Sequence, residues 1–589
     1  MVGDRGNKFN DGNPGFTLRA VIIAIGLAMF LLMSTSYIAV KLGAAPWPII
    51  FSVIVSGGII KVLSGKKFVN VHEINVAQAG ASIGGLVAAG IMFTIPGIIY
   101  LNQTQKLNIS LPDPWLLGIL AAIAGLLGVM LSVPLKYTFV DEEQLPYPSG
   151  TAGAELLKLG KTGGRQLFII IFIGAGAGIF ALLRDVYFPS GMQIATLTSI
   201  GIFLTFLPLP LAIGGGYILG PRPGISWFIG ACAGWIILVP ILFHEGFNAD
   251  EARELTQNLG MGVVLGAGVS FFVVYIVPRI KKIFLPLFQV RESWSRLFPW
   301  LAVLSIFALV LLDVPIPAAL LAVIGVWIMV AVAARMTGET NIDPLEQFGI
   351  FIGLIIAIVY KYTSLQLTMF ALFMIVTFIS VACAIAGDAG HDYKSASLVG
   401  TRFFDIVKID LITVIFAGLA APFVFKIIYQ GFAQQLFTPA MPAPQAQLVA
   451  SSIFGFKYPG IFITGFVIGF LGELANILLP HKLKNLLLWM PLGIGLFLGM
   501  GLAIPIFLGA IIRIYLDRRH SGSVHTGLLV AAGVMGGEGI AGFSAGAITI
   551  SGLTFVTGAK YLMVLFVLIL LISVIFYVSK FTKSPRKGG

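Results

Sequence analysis

The chain consists of a long succession of apolar runs, each about 20 residues long and separated by short polar segments. A helix of about 20 apolar residues is long enough to cross the hydrocarbon core of a bilayer. Hydrophobic residues make up 58% of the 589 positions and charged residues only 11%, whereas soluble domains carry about 25% charged residues. A soluble protein of this composition would expose large apolar patches. The composition therefore excludes a soluble enzyme, a nucleic-acid-binding protein and a disordered chain.

These apolar runs predict an all-α, polytopic membrane protein of about 16 transmembrane helices, some of them broken or re-entrant. The first run is too long for the apolar part of a signal peptide, so it is expected to be a retained helix. The segments between runs are too short for a soluble domain. The predicted segments are 18–40, 46–64, 82–101, 115–139, 166–188, 192–212, 224–243, 258–278, 298–313, 316–336, 347–361, 364–386, 407–428, 458–479, 488–516, 526–551 and 559–579.

Basic loops set the predicted orientation, because short loops rich in Lys and Arg stay in the cytoplasm. The basic residues behind the net charge of +12 flank the apolar runs, so they do not indicate a nucleic-acid partner. Both termini and a central basic linker are predicted to be cytoplasmic, which requires an even number of crossings in each half. The predicted divisions are a tail (1–17), a first transmembrane half (18–278), a linker (279–297), a second half (298–579) and a tail (580–589).

Three sequence patterns recur in the same order in the two halves and predict an internal duplication. In transporters, paired halves with polar segments broken by Gly or Pro at corresponding positions indicate a binding site near the middle of the membrane. The three pairs are Pro46–Pro48 with Pro315–Pro317, Pro210–Gly214 with Pro491–Gly495, and Gly150–Gly160 with Gly390–Gly400.

Polar residues within or next to the apolar runs mark the candidate site, because a charge at mid-membrane costs about 2.5–3.5 kcal/mol. The first place is the strip Glu73–Gln78 at the head of a small-residue helix, where helix amides could face a ligand. The second is Glu142–Glu155, in which Ser149 or Thr151 can cap a helix that follows two prolines. For both places the alternative is an ordinary capped helix at the membrane surface.

The third place, Gly387–Lys394, follows a long apolar run and combines carboxyl and imidazole groups. Asp388 and His391 are three residues apart, a spacing that puts them on one helix face. Together with Asp392 they suit either a metal ion or a proton relay. The alternative is a solvated loop with local ion pairs.

The last two places lie in the second half of the chain. Thr337–Gln347 is the counterpart of the first strip in the duplication. Glu538 lies in a Gly-rich apolar segment and is predicted to be a buried carboxyl group that loads and releases a proton. A helix-ending cap near the interface is the alternative for Glu538.

Other chemical motifs are missing from the sequence. Cys232 and Cys383 lie far apart in apolar runs, so neither a disulfide framework nor a cysteine metal site is predicted. The Gly-rich stretch Gly214–Arg222 does not follow a soluble strand, which favours helix packing over a phosphate-binding loop. Without a Walker A sequence, pumping driven by ATP within this chain is not expected.

Seven ordered segments resemble the oligopeptide transporter (OPT) family, and more closely its yellow-stripe-like and prokaryotic branch. The most specific is LPYPSGTAGAELLKLG at 145–160, and the resemblance runs from residue 16 to about 545. It implies a transporter of about sixteen helices, built by duplication, that carries oligopeptides or metal chelates together with protons. The other segments are FTLRAVIIAIG with YIAVKLGAAPWP, EINVAQAGASIGGLVAAGIMFTIPGI, TGETNIDPLEQFG, GDAGHDYKSASLVG, WMPLGIGLFLGMGLAIPIFLGAIIR and GLLVAAGVMGGEGIAG.

The residue patterns and the resemblance together define the candidate residues. This chain departs from the family pattern at Glu73–Asn75, where the family has an ENN-like start, and at His391–Ala396, where it has a QDLKTG-like core. The substrate class therefore stays open between peptides and metal chelates. The predicted substrate and pathway residues are Glu73, Asn75, Gln78, Tyr147, Ser149, Thr151, Glu346, Gln347 and Lys394, and the predicted proton-coupling residues are Glu538, Asp388, Asp392 and His391.

The leading hypothesis is a secondary active transporter of the cell membrane, not an enzyme, that moves oligopeptides or siderophore-like metal chelates by proton-coupled symport. An intramembrane metal-dependent enzyme built on His391, Asp388 and Asp392 is one alternative, and a passive channel is another. The proton gradient would supply the energy, so no cofactor is expected, although the substrate itself could carry a metal. The expected partners are the substrate and the lipid bilayer, and a homodimer is left open.

Overall fold

The computed structural model describes residues 14–45, 49–64, 69–158, 164–187, 192–193, 202, 205–279, 281, 298–341, 343, 345–363, 366–478, 487–519 and 524–550. Within these ranges the regular structure is helical, apart from isolated bridges and one antiparallel pair of two-residue strands, β1 (Met192–Gln193) and β2 (Thr205–Phe206). The predicted all-α fold is confirmed for this part of the chain. Outside it lie the predicted helix 559–579, the tail 580–589, the prolines Pro46–Pro48, part of the segment 192–212 and most of the segment 279–297.

The helices follow one another with short connections. In the first part of the chain they are α1 (Leu18–Leu42), α2 (Ile49–Ser64), α3 (Val71–Met92), α4 (Pro96–Thr104), α5 (Pro114–Leu135), α6 (Pro148–Lys158), α7 (Gly164–Tyr187), α8 (Pro210–Leu219), α9 (Pro221–Ala231), α10 (Val239–His244) and α11 (Ala249–Phe271). In the second part they are α12 (Phe298–Val310), α13 (Ile316–Thr340), α14 (Leu345–Lys361), α15 (Met369–Val399), α16 (Phe403–Gly431), α17 (Pro444–Phe454), α18 (Pro459–Leu478), α19 (Trp489–Leu498), α20 (Met500–Arg519) and α21 (Val524–Ile550).

Many of these helices are long and apolar enough to cross a membrane. Eleven helical stretches among the described residues meet this criterion by length and composition, which indicates a multi-pass membrane protein. Several predicted boundaries were wrong: the helix predicted over 258–278 begins at Ala249, the helix predicted over 364–386 ends at Val399, and two further cases have a visible cause. The segment 488–516 is not one helix, because α19 ends at Leu498 and α20 begins at Met500. The helix predicted over 82–101 begins earlier, at Val71, because Asn70 caps it there by accepting a hydrogen bond from the His72 amide.

The chain folds into two compact units, each assembled from separate stretches of sequence. Unit 1 contains Met1–Ser36, Trp47–Phe168 and Ile280–Lys426, and unit 2 contains Tyr37–Pro46, Ile169–Arg279 and Ile427–Gly589. Each unit therefore draws its helices from both predicted halves. The boundaries of the predicted halves stay a prediction.

Helix α15 lies at the centre of unit 1. Every residue from Ala371 to Tyr393 is buried, as expected for a helix that is apolar on all sides. It packs against α3, α5, α6, α13 and α14. Polar residues on α15 consequently face other helices of the same unit.

Glycines let the helices of unit 1 touch backbone to backbone. A Cβ atom on Gly84 of α3 would lie 1.9 Å from the carbonyl oxygen of Ala28 on α1. On Gly128 of α5 it would lie 2.4 Å from the carbonyl oxygen of Ala382 on α15. Both distances are far shorter than a van der Waals contact, so only glycine fits these positions. Small residues at such contacts are how helices associate in membranes.

Two helices of unit 2 are broken at glycines with left-handed backbone conformations. Helix α8 ends at Gly220, which has a φ of 91°, and α9 begins at the next residue. Helix α19 ends in the same way at Gly499, which has a φ of 79°. Glycine adopts this conformation without the steric cost that a Cβ would add. An apolar segment can therefore contain a helix break that hydrophobicity alone does not reveal.

Side chains bind the carbonyl groups that each break leaves unpaired. At the end of α8, Arg513 Nη1 donates to the carbonyl oxygens of Tyr217 and Ile218, both at 3.0 Å. At the end of α19, Trp235 Nε1 donates to the carbonyl oxygen of Leu496 at 2.9 Å. Such partners are needed because hydrocarbon offers no water to pair a free carbonyl.

The close contact at Gly84 gives a stability prediction. The variant Gly84→Ala should destabilise the protein by about 1–3 kcal/mol, because the added methyl group would overlap the α1 backbone. In the matched control Gly26→Ala, on α1 itself, the Cβ has no heavy atom within 4 Å, so stability should stay the same or rise by up to about 1 kcal/mol, because alanine favours a helix interior over glycine. Thermal unfolding of the purified proteins in detergent measures both. Equal midpoints for the two variants would contradict the packing seen here.

Candidate functional site

A row of buried polar side chains joins α3 to α15 inside unit 1. On α3 the row contains Asn75, Gln78 and Ser82, whose spacing of three and four residues puts them on one helix face. On α15, Asp388 and Asp392 are four residues apart and turn toward this face of α3. The amide and hydroxyl side chains of α3 therefore face the carboxyl side chains of α15.

Two carboxyl groups meet at one serine. Ser82 Oγ lies 2.5 Å from Asp388 Oδ2 and 3.4 Å from Asp392 Oδ2. Gln78 Nε2 donates to the other oxygen of Asp392, Oδ1, at 2.9 Å. The side chains of Gln78, Ser82, Asp388 and Asp392 are all 0% exposed. Both aspartates are therefore held by polar partners in a place that bulk water does not reach.

The geometry around Ser82 is most easily satisfied when one aspartate carries a proton. A serine hydroxyl has one hydrogen to donate, yet three acceptor oxygens surround Ser82 Oγ. These are the two aspartate oxygens and the carbonyl oxygen of Ala79, at 2.8 Å. If the hydroxyl donates to the Ala79 carbonyl, the 2.5 Å contact with Asp388 requires a hydrogen from Asp388 itself.

Asn75 extends the row toward the ends of the two helices. Its Nδ2 donates to Thr401 Oγ1 at 3.0 Å, and its Oδ1 accepts from Ser395 Oγ at 2.8 Å. Gln78 Nε2 also lies 3.3 Å from Asn75 Oδ1. The NH₂ group of Gln78 therefore lies between Asn75 Oδ1 and Asp392 Oδ1 and points toward both oxygens.

A third carboxyl group adds negative charge beside the pair. Asp410 on α16 is 0% exposed, and it lies close enough to Asp388 and Asp392 for the charges to repel. In the described part of the chain, no Lys or Arg forms an ion pair with any of these three aspartates. Sequence reasoning missed Asp410, although a lone acidic residue inside the apolar segment 407–428 is a signal that the rule for intramembrane charges detects.

His391 faces a different helix from its acidic neighbours. Its Nδ1 accepts a hydrogen bond from the Gly150 amide at 3.2 Å, and its ring meets that of Tyr147 edge to face with centroids 5.4 Å apart. His391 is also 0% exposed, as are Asp388 and Asp392, so the alternative of a solvated loop is wrong. Across the described ranges, no three His, Cys, Asp or Glu side chains are placed to hold one metal ion.

The Pro-rich stretch before α6 is locked into unit 1 by its own side chains. The Tyr147 amide donates to the Gly338 carbonyl at 2.8 Å, and the phenol hydroxyl donates to the Ala334 carbonyl at 2.9 Å. The amide and hydroxyl of Ser149 both donate to Asn341 Oδ1, at 3.1 and 2.9 Å. Thr151 Oγ1 donates to the Pro146 carbonyl at 2.6 Å. These hydrogen bonds hold in place the segment that leads into α6.

The remaining predicted residues lie around the row rather than in it. Glu73 forms an ion pair with Arg19 and accepts from Thr17 Oγ1 at 2.5 Å, near the start of α3. Glu346 and Gln347 lie buried in the first turn of α14, and Lys394 is half-buried on α15. None of the hydrogen bonds described above brings these four side chains to Asp388 or Asp392.

Glu538, in unit 2, is buried with a charged partner. Its Oε1 forms an ion pair with Arg184, and the two side chains are 0% and 2% exposed. Its Oε2 accepts from the Leu211 amide at 2.7 Å. Leu211 is the second residue of α8, where helix amides lack partners and negative charge is favoured. The carboxylate therefore anchors the start of a broken helix.

Arg184 was missing from the sequence reasoning, and it changes the interpretation of Glu538. Burial alone would favour a neutral glutamic acid, but a guanidinium group in contact favours the carboxylate. Arg184 Nη2 also lies 3.4 Å from the Tyr37 hydroxyl, to which Lys41 Nζ donates at 2.6 Å. The surroundings of Glu538 thus contain two cationic side chains, whereas the ion pairs of the described residues leave Asp388 and Asp392 without one.

The buried pair in unit 2 gives a second prediction. Glu538→Gln should destabilise the protein by about 3–5 kcal/mol, because it leaves the Arg184 charge buried without its counter-charge. The matched control is Glu254→Gln, which removes an ion pair with Lys457 whose side chains are 41% and 58% exposed, and it should cost less than about 1 kcal/mol. Thermal unfolding in detergent compares the two. A Glu538→Gln variant as stable as the control would show that the buried pair does not anchor α8.

Comparison with known proteins identifies the family. The family model for the OPT oligopeptide transporter protein matches residues 15–280 and 289–549. A Haemophilus influenzae protein described as "Putative oligopeptide transporter" is 25% identical to this chain over 590 residues, which cover 86% of this chain and 91% of that protein. The match of the family model includes all the residues of the buried row and both residues of the ion pair in unit 2. The chain belongs to the OPT oligopeptide transporter family.

Proposed function

We propose that this protein is a proton-coupled secondary transporter of small peptides. Membership of the OPT family and the eleven candidate spans support transport across a membrane. The description of the Haemophilus influenzae relative supports oligopeptides as the substrate class. The observation that carries the coupling is the buried contact of Asp388 and Asp392 at Ser82.

The coupling follows from the charge of this pair. With no proton, the two aspartates would bring two negative charges into a buried region without a basic partner among the described residues, which is costly. With one proton, Ser82 bridges a carboxylic acid and a carboxylate. A second proton makes the pair neutral. Each uptake or release of a proton therefore changes the energy of the buried row strongly, which is what a coupling site requires.

Gln78 makes the two aspartates unequal. Its NH₂ group donates to Asp392 Oδ1 at 2.9 Å, and a donor of this kind stabilises the charged form of a carboxyl group. Among the described residues, no amide donates to Asp388. We therefore assign the mobile proton to Asp388 and the more persistent charge to Asp392.

This assignment replaces Glu538 as the main candidate for coupling. Glu538 has Arg184 and the Leu211 amide as partners, and both favour a permanent charge. A coupling side chain must lose and regain its proton in each transport cycle. A fixed guanidinium partner would oppose this proton uptake, because it stabilises the carboxylate. We propose a structural role for Glu538 instead.

The predicted duplication gains support from the two broken helices. The similar sequences Pro210–Gly214 and Pro491–Gly495 lie in the short helices α8 and α19, and each helix ends at a glycine with positive φ. A shared break at matching sequence motifs is expected if both derive from one ancestral half. The proposed arrangement keeps about sixteen helices and cytoplasmic termini in the cell membrane.

The proposal predicts how coupling fails. In proteoliposomes, wild-type accumulation of a radiolabelled tripeptide should rise when a proton gradient is imposed in the direction of transport. Asp388→Asn mimics the protonated carboxyl group, so it should abolish this stimulation while tripeptide exchange at equal pH continues. Ser82→Ala should weaken the stimulation because it removes the bridge. The matched control Ser56→Ala removes a buried hydroxyl that bonds only to carbonyls of its own helix, in α2, and should behave as wild type.

Two results would contradict this proposal. One is wild-type accumulation that ignores the pH gradient for every peptide tested. The other is an Asp388→Asn variant that still accumulates the tripeptide in response to the gradient. Exchange measured on the same vesicles separates a loss of coupling from a loss of folded protein.

Substrate class needs a separate measurement, because the metal-chelate alternative shares the same fold. Dipeptides and tripeptides should raise the thermal unfolding midpoint of the purified protein, since a ligand that binds only the folded state stabilises it. Iron(III) and nickel(II) chelates of similar size should not raise it. The opposite pattern would assign the protein to metal-chelate transport.

A further inference from the structure

A second set of buried oxygen atoms lies in unit 1, between α13 and α15. Thr337 Oγ1 and both carboxyl oxygens of Asp343 have no hydrogen-bond partner among the described residues. Thr337 is 0% exposed and belongs to the last turns of α13. Asp343 follows α13 in the connection to α14. These atoms are separate from the row that α3 forms with α15.

The oxygen atoms converge on one point of the α15 backbone. A Cβ atom on Gly387 would lie 2.4 Å from Asp343 Oδ2 and 2.9 Å from Thr337 Oγ1. The absence of a side chain at Gly387 is therefore what lets both oxygens approach the same place. Neither oxygen satisfies the other, because no hydrogen bond joins them.

The electrostatics around this point are negative. The ionisable groups whose charges act on Asp343 are the carboxyl groups of Glu346 and Asp388, so a cation is attracted to this point. Helix α13 ends here, so its C-terminal carbonyl groups add partial negative charge. In the described ranges, no Lys or Arg forms an ion pair with Asp343.

The chemistry of these oxygen atoms indicates which kind of ligand they would bind. A carboxylate and a hydroxyl are hard oxygen donors, which suit alkali and alkaline-earth cations. A divalent cation usually takes several carboxylates, and the described residues contain no group of three His, Cys, Asp or Glu side chains that could hold a metal ion. One monovalent cation would neutralise the charge of Asp343, the single carboxylate of this donor set.

We propose that Thr337 and Asp343, gathered at Gly387 of α15, form a binding site for a sodium ion. The ion would bridge the Thr337 hydroxyl and the Asp343 carboxylate, two oxygen groups that the fold brings to one point without pairing them. The site lies on the α13 side of α15, whereas the Asp388–Asp392 pair faces α3. The sodium ligands are different residues from the proposed proton-coupling pair, so sodium binding can be measured separately from proton coupling.

Direct binding of ²²Na⁺ to the purified full-length protein tests this proposal without substrate or a proton gradient. Wild-type protein should bind the isotope saturably, and excess NaCl, but not choline chloride, should displace it. Thr337→Val keeps the shape of the side chain but removes the ligand oxygen, so it should weaken binding by about tenfold or more. Asp343→Asn removes the charge and should abolish binding.

The matched control is Thr413→Val. Thr413 is also fully buried in a helix of unit 1, but its hydroxyl bonds to the Ile409 carbonyl of its own helix at 2.8 Å. This variant should bind ²²Na⁺ as wild type does.

If Asp343→Asn fails to fold, judged by gel filtration, the ²²Na⁺ affinity of Thr337→Val alone tests the proposal. Wild-type protein without saturable binding, or a Thr337→Val variant with wild-type affinity, would overturn the proposal. Failure of the peptide-transport experiments would leave this result unaffected.

Discussion

The structure depends on one constraint, which is that a polar group in hydrocarbon has to find its partner inside the protein. Helix α8 illustrates it at both ends. Its first amides face the Glu538 carboxylate, and its last carbonyls accept from Arg513. The Arg184 guanidinium neutralises the carboxylate in turn. The same constraint organises α3 and α15, where amides and hydroxyls on one helix meet carboxyl groups on the other. Charged residues in this chain therefore hold helices together before they take part in any transport.

Apolar length predicted most of the helices, because about 20 residues without charges leave the backbone few alternatives in a membrane. What it could not predict are the breaks. The segment 488–516 is apolar apart from Arg513, and the positive φ of Gly499, together with the Trp235 donor, divides it. Asn70 caps α3 so that it starts at Val71, earlier than predicted, and Glu73, Asn75 and Gln78 in its first turns find partners far away in sequence. Hydrophobicity measured along the chain contains no information about such partners.

The sequence predicted several residues of the candidate site, but it could not predict which of them contact each other. Asp388, Asp392 and Gln78 stood out as polar groups within or next to apolar runs, and they do meet. Ser82, which joins the two aspartates, is an ordinary small residue in a Gly- and Ala-rich helix, so nothing in the sequence marks it. Arg184 lies 354 positions from Glu538. A single sequence gives no indication of that contact, although it decides whether the glutamate keeps its charge.

The contact between Gly84 and the Ala28 carbonyl has a mechanical consequence. With two backbones touching, neither lipid nor water has room to enter, and no long side chains lie between them to slide or repack. Where their backbones touch, α1 and α3 therefore have to move together as one rigid body. A rearrangement during transport would then take place at looser contacts, and Glu73 of α3 would move together with its ion-pair partner Arg19 of α1.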